Sequence, residues 1–104
     1  MALISYLRSH VPPGLISRFE PGRIVMTRGI HDLSERGLLT WPYLVRHLGG
    51  DWGDLDAHDR RVNDTALESG GRLLSSYQVT PDLTLWIITE ADRGVTTLLL
   101  PSEY

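Results

Sequence analysis

The chain has 104 residues, 41% hydrophobic and 22% charged, with a formal net charge of −3, which suits one globular domain with one modest core. It contains no cysteine, so disulfides, thiolate zinc sites and a cysteine nucleophile are excluded. No apolar run approaches the roughly 18 to 20 residues of a spanning helix, and the N-terminus lacks the pattern of a signal peptide; a cytoplasmic protein with no membrane partner is expected.

The charge is unevenly placed. Residues 1–50 set six arginines against Glu20, Asp32 and Glu35, a net of +3, whereas residues 51–68 set six acids against Arg60 and Arg61, a net of −4. All ten basic residues are arginine, as a GC-rich coding sequence produces, and with the net acidity this argues against direct nucleic-acid binding.

In chain order, residues 1–20 read as a loosely attached arm and residues 21–104 as a single domain. Leu3 to Leu7 suits one or two helical turns, stopped by Pro12-Pro13-Gly14. Pro21-Gly22 fits the centre of a type II turn and leads into RIVMTR, 23–28, a short strand. IHDLSERG follows as a short helix ended by Gly37. Thr40 then caps a second helix with Pro42 in its first turn, where Trp41, Leu44, Val45 and Leu48 form one apolar stripe. His47, near the end of that helix, is placed where a cation is favourable. A third helix starts at Asp56, whose carboxylate can accept from the Asp59 amide, and ends at Gly70-Gly71. Its stripe of Leu55, Val62, Ala66 and Leu67 is thin.

RLLSSYQV (72–79), TLWIITE (84–90) and VTTLLLP (95–101) are three β-rich runs separated by turn residues. They predict a three-stranded antiparallel meander, with Gly94 in the left-handed position of its second loop. Alternation sets Trp86 and Ile88 on one face and Leu85 and Ile87 on the other, so the middle strand is expected to be covered on both sides. The fold class is therefore α+β: a short N-terminal strand and two or three helices packed on the meander.

The stretch GGDWGDLDAHDRR, 49–61, poses the functional question. As a metal site, Asp51, Asp54, Asp56, His58 and Asp59 offer oxygen and imidazole ligands, but the register of a calcium loop is missing. His58 and Asp59, being adjacent, diverge by about 100° on a helix. No metal or cofactor is expected. As structure, Asp56 caps the helix, Asp59 favours its positive end, Arg60 can pair with Asp64, and Trp52 docks on the core, which leaves Asp51 and Asp54 without a task. As a contact surface, Asp51, Trp52, Asp54, Asp56, Asp59, Asp64 and Glu68 form an acidic patch suited to a basic protein partner, such as one that itself binds nucleic acid.

A second candidate is the hairpin tip in ITEADRGVTT. Glu90, Asp92 and Arg93 can serve acid–base chemistry or grip a phosphate, and equally can form a salt-bridged turn. The four histidines lack metal-ligand spacing, and no phosphate-binding glycine loop or nucleophile elbow occurs.

From Phe19 onward, the segments EPGRIV, GDWGDLDAHDRRVNDTAL, GGRLLSSY, LWIITEADRGVTTLLLP and the closing EY resemble a family of small bacterial proteins. Their genes occur widely on plasmids and other mobile elements, and they carry labels such as plasmid-related or restriction-system protein. The family usually has serine where Gly94 stands here, and the resemblance brings no catalytic residues. It implies a non-enzymatic binding protein, in its sharpest form an inhibitor of a CRISPR or restriction complex. The alternative is a small nucleic-acid-processing enzyme or ribonuclease-like toxin using Glu90–Arg93.

Overall fold

The computed structural model describes the backbone of Leu3–Ser5 and residues 17–104 in full. The chain is α+β, as its pattern predicts. Among the described residues five strands form one sheet: β1 (Leu3–Ser5), β2 (Arg23–Thr27), β3 (Leu73–Thr80), β4 (Leu83–Thr89) and β5 (Val95–Leu99). Three helices lie between β2 and β3, namely α1 (Arg28–Glu35), α2 (Trp41–Leu48) and α3 (Ala57–Ser69).

The sheet order is β1-β2-β5-β4-β3. The meander β3-β4-β5 is antiparallel, with Leu85 opposite Tyr77 and Ile87 opposite Leu98. β2 extends it on the far side by pairing parallel to β5, Val25 opposite Thr97. β1 pairs antiparallel to β2, Ile4 opposite Met26. Leu3–Ser5 is thus a strand and not the helical turn expected over Leu3–Leu7. The β-branched run of β2 offers it a ladder of backbone partners, while an isolated turn of helix carries the nucleation cost alone. Tyr6 and Leu7, and the Pro12-Pro13-Gly14 stop, lie outside the described residues. The described end of the expected loose arm is docked: the Arg18 amide donates to the Leu48 carbonyl at 2.8 Å, and Phe19 packs against both core clusters.

One face of the sheet carries the core. Ile24, Met26, Tyr77, Leu85, Ile87 and Leu98 meet Ile30 of α1 and Leu44 and Leu48 of α2. Full burial of side chains of this size contributes about 1.5 to 3 kcal/mol each. Leu73 meets Trp52 and Ala66 in a smaller cluster beside the α3 end of the sheet. On the opposite face Ile88 and Leu99 are buried, but Trp86 is only half-buried, so the expected two-sided cover of β4 is incomplete.

The helix ends follow local chemistry with two departures. Asp56 caps α3, its carboxylate accepting from the Asp59 amide at 2.8 Å, and Gly70 closes α3 in the left-handed region at φ 89°. Thr40 occupies the cap position of α2 without a side-chain bond. α1 begins earlier than its apolar pattern suggests, at Arg28, because Thr27 Oγ1 accepts from the Ile30 amide. Its N-terminus is sealed by the C-terminal turn Pro101–Glu103: the Glu103 carboxylate accepts from the Gly29 amide and the Leu100 amide, both at 2.9 Å, and from the Thr27 hydroxyl.

Candidate functional site

The stretch 51–56 is a clamp on the free edge of β3. Ser76 donates its amide to the Trp52 carbonyl at 3.1 Å and accepts from the Asp54 amide at 2.7 Å. The Asp54 carboxylate reaches one step further and accepts from the Gln78 amide at 2.7 Å. Gly53, at φ 77°, lies so close to β3 that a Cβ there would stand 2.1 Å from the Ser76 carbonyl oxygen. The next outward-facing position on β3, Leu74, is held by the Asn63 side chain of α3 at both its amide and its carbonyl. Leu74, Ser76 and Gln78 therefore meet a pseudo-strand made of one loop and one side-chain amide, which blunts the edge against strand addition.

This corrects the reading of Asp51 and Asp54 as carboxylates without a task. Asp51 accepts from Arg46 Nε at 2.7 Å and from the Gly53 amide at 3.1 Å. The Arg46 guanidinium holds its carboxyl below the usual range. Arg46 also stacks 4.6 Å from the centre of the Tyr77 ring, whose hydroxyl donates to the Asp51 carbonyl. Trp52 is buried and donates its indole N–H to Asp64 at 2.9 Å. Of the predicted contact residues, Asp51, Asp54, Asp56, Asp59, Asp64 and Glu68 remain exposed to solvent while Trp52 supports them from beneath.

The residues weighed above as metal ligands, where no metal is expected, divide. Asp56, His58 and Asp59 place one ligand atom each within 4.8 Å of one another at the exposed start of α3, closer than their sequence spacing suggests, because Asp56 lies outside the helix and folds back over its first turn. Asp51 and Asp54 are committed to Arg46 and Gln78 instead.

Beside this segment an open cleft of about 330 Å³ lies between α3 and the outer face of the meander. Leu55, Val62, Leu74, Trp86 and Ile88 make its apolar lining, and Asp59, Arg72 and Tyr104 stand among them. Arg72 donates to the Tyr104 hydroxyl at 2.8 Å and lies 3.7 Å from Glu90. Tyr104 and Trp86 meet edge to face at 5.9 Å.

The hairpin tip is organised around Arg93, and for structure. Its guanidinium donates to the carbonyls of Gly71 at 2.6 Å, Ala66 at 3.1 Å and Glu90 at 3.2 Å. A delocalised cation with a fork of donors gathers the Ala66 carbonyl at the end of α3, which also accepts from the Gly70 and Gly71 amides, together with the Gly71 and Glu90 carbonyls beyond it. Arg93, not Gly94, adopts the left-handed conformation, at φ 60°. The side-chain bonds hold it there, and Asp92 accepts from the Gly94 amide. Glu90 lies by Arg72, so the three predicted tip residues do not converge on one point.

Sequence reasoning missed one fully enclosed polar cluster. His47 is fully buried, and its Nδ1 lies 2.5 Å from Ser75 Oγ and its Nε2 2.9 Å from Thr89 Oγ1. Thr89 Oγ1 lies 2.8 Å from Thr96 Oγ1, which donates to the Pro21 carbonyl at 2.7 Å. A carbonyl only accepts, so the direction of this chain is fixed from Pro21 as far as His47 Nε2. Thr96 spends its hydrogen on Pro21, Thr89 donates to Thr96, and His47 donates from Nε2 to Thr89. At Nδ1 the direction follows from burial, which with a contribution from Arg93 depresses the imidazole to about 3 and keeps it neutral, so Ser75 donates there. It is not the helix-end cation expected from sequence. The only early signal was its spacing, three residues after Leu44 and beside Leu48, on the buried side of α2. Ser75 and His47 are both sealed from solvent, and their bond ties α2 to the sheet.

No protein-family model, curated protein or solved structure matches the chain. Among the described residues no helix is long and apolar enough to cross a membrane.

Proposed function

We propose that the protein acts in the cytoplasm by binding a basic protein partner, with the acidic segment Asp51–Glu68 as its contact surface. The observation that carries this reading is the run of exposed carboxylates from Asp51 and Asp54 through Asp56, Asp59, Asp64 and Glu68, several fixed in place by bonds to the scaffold. Carboxylates held rigid lose little freedom on binding, so they steer and register a cationic partner efficiently. The enzymatic alternative at Glu90–Arg93 has less support, since the guanidinium is committed to backbone carbonyls.

The resemblance to plasmid and mobile-element proteins points to a nucleic-acid-binding defence complex, of CRISPR or restriction type, as the partner. The test is transformation of a host carrying an active defence system with a targeted plasmid, with and without this gene. Protection of at least tenfold, reduced by Asp59→Asn with Glu68→Gln, is expected. Equal transformation with and without the gene across CRISPR and restriction hosts would remove the defence partner from the reading.

A further inference from the structure

We propose that the cleft between α3 and the outer face of the meander receives an apolar side chain of the partner, carried on a basic segment; this rests on the acidic-surface reading above. Three observations converge. First, apolar surface is left facing water. Val62 is 51% exposed on a helix otherwise polar on its outer side, and Trp86 is half-buried in the middle strand of the meander. A concave apolar lining with an aromatic floor and a polar rim is the anatomy of an interface centre. At about 330 Å³ it lies near the lower end of the roughly 300 to 1,000 Å³ typical of ligand pockets, room for one or two side chains.

Second, the charge at the rim selects a cation. Asp59 lines the cleft, with Asp56 at the same end of α3. The single guanidinium present, Arg72, already faces Glu90 at 3.7 Å and stacks 5.2 Å from the Tyr104 ring centre. A lysine or arginine next to the inserted side chain would meet Asp59, whose neighbour His58 is a weak competitor at 3.3 Å and 75% exposed.

Third, the neighbouring edge of β3 is closed by Asn63, Trp52 and Asp54, so the partner cannot bind by adding a strand there. Recognition must run through side chains, which suits an amphipathic segment laid across the cleft.

The experiment uses the whole chain and two synthetic amphipathic peptides of equal leucine content, one with arginine and one with glutamate at its polar positions. NMR follows the Trp86 indole N–H, identified by its loss in Trp86→Phe, and the Val62 methyls. Both signals should move on titration with the arginine peptide, with at least tenfold weaker binding of the glutamate peptide. Val62→Gln should weaken binding of the arginine peptide about tenfold with unchanged Tm, and Asp59→Asn several-fold with a flatter salt dependence and at most a small loss of Tm from the lost charge at the start of α3. Shifts confined to the polar side of α3, with Trp86 and Val62 unmoved, would overturn the cleft and leave the acidic-surface reading standing. Equal binding of both peptides would overturn the cationic half of the inference. No shift with either peptide would overturn it entirely, and the transformation assay would then decide the broader reading by itself.

Discussion

Asn63 and Leu74 exchange two hydrogen bonds across the edge of the sheet: Asn63 Nδ2 donates to the Leu74 carbonyl at 2.6 Å, and Asn63 Oδ1 accepts from the Leu74 amide at 3.1 Å. A side-chain amide carries one acceptor and two donors in the arrangement of a peptide group, so it can stand in for a neighbouring strand. Asn63→Asp keeps the acceptor and loses the donor. Because the site is buried, it should cost about 1 to 3 kcal/mol, and Asn63→Leu should cost at least as much by stranding both Leu74 groups. Urea unfolding would measure both, and a loss under about 0.5 kcal/mol for either would mean that water satisfies this edge equally well.

Gly53 and Gly70 separate backbone conformation from close approach. Both have positive φ, 77° and 89°, but a Cβ at Gly53 meets the Ser76 carbonyl oxygen at 2.1 Å while one at Gly70 meets nothing within 4 Å. Gly70→Ala should cost about 1 to 2 kcal/mol, the ordinary penalty for a side chain in the left-handed region. Gly53→Ala should cost clearly more, because the clamp must leave β3. Equal losses by thermal melting would show that the clamp can shift without consequence.

Arg93 should prove a stability residue. Arg93→Ala removes its guanidinium bonds to the Ala66, Gly71 and Glu90 carbonyls and should cost roughly 2 to 3 kcal/mol. Arg93→Gly should be milder by about 1 kcal/mol, since glycine accepts the left-handed backbone freely. An Arg93→Ala protein of unchanged Tm that has lost its biological effect would restore the hairpin tip as a working site.

Stability should fall with pH in two windows. His47 in the folded protein sits at about 3 against an ordinary 6.5. Below pH 6.5 the unfolded chain takes up a proton that the folded chain refuses, so stability declines by roughly 1.4 kcal/mol for each pH unit. Burial opposes ionisation of Glu103, but the bonds from Thr27, Leu100 and Gly29 outweigh it and hold the carboxyl below its ordinary value of 4.5. Its contribution is present above that value and is lost as the pH falls further. His47→Gln cannot titrate and should be flat from pH 6.5 to 5, though less stable at neutral pH. A wild-type protein equally flat over that range would overturn the buried neutral imidazole.

Size and burial should rank the meander residues in opposite orders. Trp86 is the largest side chain in β4 but lines the open cleft, so Trp86→Ala should cost only about 1 to 2 kcal/mol. Leu85→Ala and Ile87→Ala, at fully buried positions, should cost about 2 to 5 kcal/mol. The reverse ranking in denaturant unfolding would mean that the cleft is closed in solution.

Local rules governed what was legible before the fold was known. Strand alternation in 72–101, the Asp56 cap, the glycine ending α3 and the stripe on α2 each depend on residues within one or two turns of one another, so the α+β class and the meander could be read directly. Tertiary structure decided the rest. The parallel pairing of β2 with β5 joins residues some seventy positions apart, and no local pattern encodes that register. The partner of Asp54, the Gln78 amide, is twenty-four residues away and named only once loop and sheet meet, whereas Asp51 turns back to Arg46 only because the chain reverses after α2. His47 read as a helix-end cation because a histidine's charge is set by its surroundings, and Ser75 and Thr89 arrive from other strands. The acidic composition of 51–68 was evident from the start, but the apolar cleft beside it exists only where α3 fails to cover Trp86.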